Sequence, residues 1–290
     1  MTVSPRELEA QRLAARLPAL LVAAERVAAT VAAGTHGRRR TGPGETFWQY
    51  RSHQPGDAAA AIDWRQSARS QRLYVRESEW AAAQTVWLWS DGSASMRWRS
   101  GRNLPAKSDR AVVLALAVAI LLLKAGERVG VLGPPPPRAG LSLARIVEAV
   151  QAGGQERLPE AAGLPRHGEA VLISDFLMPL EEVDARVRAL SAAGIAGHLV
   201  QVLDPAEETL PFAGRVRFAG LEGEGETLVR RAEDLRDAYA GRLAAHRDGL
   251  SAIAQAAGWS FAAHHTDQPP EAALLALHAR LAQPRRGGRR

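Results

Sequence analysis

The chain has 290 residues, 46% of them hydrophobic and 23% charged, with no cysteine and a formal charge of +6. That balance is the balance of a globular protein with one large α/β domain and an extension, or two small domains; disulfides and thiolate metal sites are excluded, which fits a reducing compartment. The positive charge does not describe a nucleic-acid face. Arg38, Arg39 and Arg40 form one run and Arg285, Arg286, Arg289 and Arg290 close the chain; without those seven the remainder carries about −1.

The first residues, MTVSPRELEA, contain no apolar core of a secretory signal. The longest apolar run, Ala111 to Leu123, falls short of the roughly 20 residues that a membrane span needs. A cytoplasmic protein is expected. Residues 5–33 repeat apolar positions at helical spacing (Leu13, Leu17, Leu20, Ala24, Val27, Val31), which predicts an amphipathic helix that docks on another surface. Glycines at 34, 37, 42 and 44 end it, and a segment to residue 83 alternates turn signals ("GPGE", "QPGD") with short aromatic runs ("TFWQY", "RLYVRE"). Strands and hairpins are predicted there.

From residue 84 the pattern becomes strand–helix alternation. Strands are predicted near 85–91, 128–133, 169–175, 198–203 and 259–264, and helices near 106–125, 142–152, 180–193, 232–256 and 270–282. Gly126 and Gly194 stand where helix stops belong. "GPPPPRAG" (133–140) reads as a rigid connector, and residues 215–230 as an inserted hairpin turning at "EGEGE". The predicted fold class is α/β: a doubly wound, mostly parallel sheet with an N-terminal helix and an accessory β segment. The divisions expected are 1–33, 34–83, 84–283 and a basic tail at 284–290.

The chemistry concentrates in "TVWLWSDGSASM". An apolar strand ends there in Asp91, with Ser93 and Ser95 following at alternate positions. In open α/β sheets ligands bind beyond the carboxyl ends of the strands, near the reversal of strand order. One carboxylate and two hydroxyls make an all-oxygen donor set, suited to Mg²⁺, with Mn²⁺ as a substitute. Asp175, in "VLISDF", ends another apolar strand and is a second acid for the same crevice.

The D-x-S-x-S pattern after an apolar strand resembles the metal-ion-dependent adhesion site of von Willebrand factor type A domains. The longer stretch "YRSHQPGDAAAAIDWRQSARSQRLYVRESEWAAAQTVWLWSDGSASM" is similar to the signature of a bacterial family catalogued as domain of unknown function fifty-eight. The resemblance implies a von Willebrand factor A-like sandwich, non-enzymatic, acting as an adaptor beside a MoxR-type AAA+ ATPase. It places Asp91, Ser93, Ser95 and Asp175 around a Mg²⁺ ion whose coordination a partner's carboxylate completes. The pattern also calls for a threonine from an intervening loop, for which Ser142 is the candidate here. In the signature segment, Asp57, Asp63, Trp64, Arg69, Arg76 and Glu77 form either a second functional patch or the ion pairs and anchors of that segment.

Two other readings accompany this one. A metal-free scaffold would use the same loop face without an ion, and a phosphohydrolase would use Asp91 and Asp175 with a metal. Neighbouring His264 and His265 on one strand face opposite ways, so they do not make a metal site.

Overall fold

A computed structural model describes residues 22–29, 31–32, 47–52, 62–69, 72–78, 85–133, 137–151, 158–161, 163–165, 168–223 and 225–281. The start of the predicted N-terminal helix, the arginine run at 38–40, Asp57, the prolines at 134–136 and the basic tail lie outside the described residues. The chain divides into two compact units: residues 1–35 together with 85–290, and residues 36–84. The N-terminal helix thus belongs to the larger unit.

In the smaller unit, β1 (Phe47–Ser52) pairs antiparallel with β2 (Tyr74–Ser78), and the short helix α2 (Trp64–Ser67) lies between them in sequence. The buried Ser67 ties this turn together. Its hydroxyl donates to the Asp63 carbonyl at 2.8 Å and accepts the Tyr74 amide at 2.9 Å. The "IDW" and "SAR" pieces are therefore the start and end of one helical turn stitched to β2. Trp64 is 63% exposed and Arg69 is exposed, while Arg76 and Glu77 occupy β2 opposite Tyr50 and Gln49.

The larger unit is built on five parallel strands: β3 (Thr85–Ser90), β4 (Arg128–Val131), β5 (Glu169–Ser174), β6 (Ala196–Leu203) and, after an inserted hairpin, β9 (Ser260–His265). Their spatial order is β4-β3-β5-β6-β9. The chain moves from β3 to one side, then returns to lay β5 on the other side of β3, so strand order reverses between β3 and β5. The inserted hairpin is β7 (Val216–Ala219) with β8 (Glu226–Val229), closed by the Gly220 amide on the Gly225 carbonyl at 2.7 Å.

Alternation along the strands divides the core into two. Val86 and Leu88 of β3, Val171 and Ile173 of β5, and Val200 and Val202 of β6 join residues of the N-terminal helix α1 (22–29) and of α3 (Lys107–Lys124), α4 (Leu143–Gln151) and α8 (Pro270–Leu281). Trp87, Trp89, Ala170, Leu172 and Leu199 join α5 (Leu180–Ala192) and α7 (Arg236–Ala256) on the opposite face. Burial on both faces is why these strands are continuous apolar runs. Helix α3 is apolar nearly all round because it is enclosed all round. Its end follows the glycine rule: Gly126 takes φ +80°, and the Glu127 amide reaches back to the Leu122 carbonyl at 3.0 Å.

Candidate functional site at the strand tips

Asp91 and Asp175 each follow directly on a strand end, β3 and β5, on either side of the reversal. The two tips are joined by the Asp91 amide, which donates to the Ile173 carbonyl at 2.9 Å. Both acids are buried.

The Asp91 carboxylate turns toward its own loop. Oδ1 accepts the Ser93 amide at 2.8 Å, and Oδ2 accepts the Ser174 hydroxyl at 2.5 Å. Burial pushes its carboxyl above the ordinary range, against the opposing bonds from Ser174 and Ser93. The two loop serines form a short chain toward the second acid. Ser95 Oγ donates its proton to Asp175 Oδ2 at 2.7 Å, so Ser93 Oγ, 3.1 Å from Ser95 Oγ, is the donor in that pair. The geometry thus brings Ser93, Ser95 and Asp175 together while holding the Asp91 oxygens on Ser93 and Ser174. Ser142 stands exposed ahead of α4, where its carbonyl accepts the Ile146 amide, and no bond of this cluster runs to it.

The centre of the cluster is a residue that the sequence reading passed over. Lys107, the first residue of α3, is fully buried, and its ammonium lies 2.8 Å from Asp175 Oδ2 and 2.5 Å from Glu207 Oε1. Glu207 belongs to α6 (Pro205–Thr209), which starts just beyond the tip of β6. Its other oxygen accepts the Asp204 amide at 2.8 Å, completing a capping box in which Asp204 Oδ1 accepts the Ala206 amide. Asp204 Oδ2 in turn accepts the Ser100 amide at 2.9 Å, fastening the loop between β3 and α3.

Burial by itself pulls the Lys107 pKa down, but the two carboxylates outweigh it and hold the ammonium above the ordinary lysine value. Burial pushes Glu207 up, with the ammonium opposing. Both Glu207 oxygens accept hydrogen bonds, one of them from the ammonium, and this geometry favours the charged pair.

The backbone after Asp175 is clamped as well. Phe176 takes φ +49°, a left-handed conformation unusual for a bulky residue. Its amide donates to Ser174 Oγ at 2.9 Å, and its carbonyl accepts from His246 Nε2 of α7 at 2.6 Å. The Asp175 carbonyl accepts from Gln201 Nε2 at 2.8 Å. A carbonyl only accepts, so Nε2 of His246 carries the proton.

Above the buried cluster lies an exposed rim. Arg97, Arg99 and Arg102 are exposed on the loop between β3 and α3, and Leu177 beside Asp175 is 42% exposed. The hairpin tip reaches the same place: the Ser95 amide donates to Glu222 Oε1 at 3.3 Å, and Leu221 next to it is half exposed.

Residues 49–249 match the family described as "Protein of unknown function DUF58". The chain belongs to this family. Among similar proteins, the Uncharacterized protein Rv1480 of Mycobacterium tuberculosis is 29% identical, over 90% of this chain and 87% of its own length. Among solved structures, an aerotolerance-related membrane protein from Bacteroides fragilis is similar at 15% identity and a TM-score of 0.41, over 68% of this chain and 98% of its own. The SpRpn10 VWA domain is similar at 8% identity and a TM-score of 0.34, over 68% of this chain and 95% of its own. The fold of this DUF58 protein is the doubly wound α/β sandwich that the sequence implies, with its polar cluster at the strand reversal. No helix among the described residues is long and apolar enough to cross a membrane.

The residues present do not suit a magnesium ion. An ion at the roughly 2.1 Å that Mg²⁺ requires from Asp175 Oδ2 would stand within about 5 Å of the Lys107 ammonium. The repulsion there is on the order of 6 kcal/mol at an effective dielectric constant near 20. Among the described residues, no group of three or more histidine, aspartate or glutamate side chains is arranged to hold a metal.

Proposed function

We propose that this DUF58 protein is a non-enzymatic adaptor that presents the rim above β3 and β5 to a protein partner, a MoxR-type AAA+ ATPase. The observation that carries the reading is the contrast between cluster and rim. The buried Asp91, Asp175 and Lys107 and the partly buried Glu207 are all bonded to one another or to the adjoining strand tips and loops, which suits a rigid support. A general base needs a basic group within reach of a substrate's proton, and these carboxylates are already engaged. The rim offers what a partner can read: exposed Arg97, Arg99 and Arg102 beside the exposed Leu177 and Leu221. A basic rim with apolar side chains matches a partner face carrying carboxylates around an apolar centre, the charges setting the encounter rate and orientation.

The test is capture of a MoxR-type ATPase encoded in the same genome by the purified chain, read by biolayer interferometry across a salt series. Binding that weakens with salt, and a fall of at least about tenfold in association rate for Arg99→Glu with Arg102→Glu, is expected. Absence of binding to that ATPase, or binding indifferent to both substitutions, would overturn the reading.

A further inference from the structure

We propose that the ammonium of Lys107 stands in the place of a divalent ion, so that this strand-tip site is held together by a cation the chain itself supplies and needs no metal. The inference goes beyond the adaptor reading and does not rest on it.

The first support is the placement. Lys107 opens α3, and the backbone dipoles at a helix N-terminus repel a cation. It is also fully buried, which for an ammonium is costly unless paired and hydrogen-bonded. A lysine in the most unfavourable position of a helix, enclosed and apart from water, requires a strong local reason. Asp175 and Glu207 supply it.

The second support is what the ammonium joins. Asp175 comes from the tip of β5, Glu207 from just past the tip of β6, and Lys107 from the end of the loop that leaves β3. Ser95, from the start of that same loop, shares the Oδ2 atom of Asp175 with the ammonium. One positive centre therefore fastens three separate loops, as a bridging ion would, through donors at 2.5 and 2.8 Å. An ammonium does this with three protons and no requirement for octahedral geometry.

A consequence is that a partner's carboxylate has no metal to ligate here. The cation lies out of solvent, bonded to Asp175 and Glu207, and recognition is left to the rim.

Two measurements on the full chain, each repeated on Lys107→Ala and Lys107→Met, test this: Mn²⁺ binding by electron paramagnetic resonance, and thermal unfolding in EDTA or excess Mg²⁺. The wild-type chain is expected to bind no Mn²⁺ tightly and to melt at one temperature in EDTA and in Mg²⁺. Lys107→Ala opens space among the acids and is expected to gain a Mn²⁺ site, with melting raised on the order of 5–10 °C at a hundredfold excess over its dissociation constant. Lys107→Met refills that space without charge, so it is expected to melt lower than wild type and to ignore both ions. One tightly bound Mn²⁺ per wild-type chain, lost in Ser95→Ala, would overturn the proposal. So would a folded Lys107→Ala that neither ion stabilises. The wild-type measurements decide the matter even where a variant fails to fold.

Discussion

Asp175 and Lys107, 68 residues apart in sequence, meet at 2.8 Å with both side chains out of solvent. Breaking such a pair by removing one charge leaves the other buried with too little compensation. Asp175→Asn keeps the shape and, through its amide oxygen, the hydrogen bonds from Ser95 and Lys107. It removes the charge, however, and leaves Glu207 as the one carboxylate bonded to the ammonium, and is expected to cost about 3 kcal/mol. Urea unfolding followed by tryptophan fluorescence measures it. A loss under about 1 kcal/mol would mean that the ammonium is satisfied without this acid.

Acid sensitivity should come from the β6–β9 edge of the sheet. His198 of β6 and His264 of β9 are buried on neighbouring strands, and the Nε2 atom of each finds no hydrogen-bond partner among the described residues. Burial lowers each pKa from 6.5 to about 4, aided by Arg280 near His198 and by Arg110 and His265 near His264, with Asp267 opposing at His264. The folded-state pKa lies below the unfolded one, so the stabilisation is present above pH 6.5 and is lost as pH falls toward about 4. Each shift corresponds to about 3 kcal/mol when fully lost. Denaturant unfolding at pH 7.5 and at pH 5 should show the decline, and His198→Asn, which keeps a group for Ser260 Oγ, should flatten it. An unchanged slope would place the sensitivity elsewhere.

How much of this was legible beforehand depends on what each feature writes into the chain. Strands β3 and β5 were, because burial on both faces demands unbroken apolar runs, and so was Gly126, because only a left-handed residue closes α3 that way. The hairpin β7–β8 was readable from its glycines and lies within the predicted 215–230. The approach of Asp175 to the Ser95 loop followed from both standing at strand tips beside the reversal. Lys107 was not found, since a single lysine before an apolar run resembles any solvated helix start. Its signal was the misfit: a cation in the first turn of a helix whose other faces are all apolar. "DPAE", residues 204–207, carried a capping-box spacing that would have located Glu207 near a strand tip. Nothing local marks Gln201 or His246, whose role comes from the folded neighbourhood of the Asp175 and Phe176 carbonyls.

Phe176 provides the sharpest check on that neighbourhood. Its ring is fully buried and its φ of +49° falls where side chains are strained, so the two properties oppose each other on substitution. Removing the ring costs about 3–5 kcal/mol whichever small residue replaces it. The backbone, however, distinguishes alanine from glycine, because glycine takes the left-handed region freely and alanine does so at a cost of about 1 kcal/mol. Phe176→Gly is therefore expected to be more stable than Phe176→Ala by about that amount, the reverse of the order at an ordinary helix or strand position. Equilibrium unfolding of the two variants side by side measures the difference. Alanine proving equal or better would show that the clamps from Ser174, Gln201 and His246 do not hold this turn in its left-handed form, and with it the aim of Asp175 at Lys107.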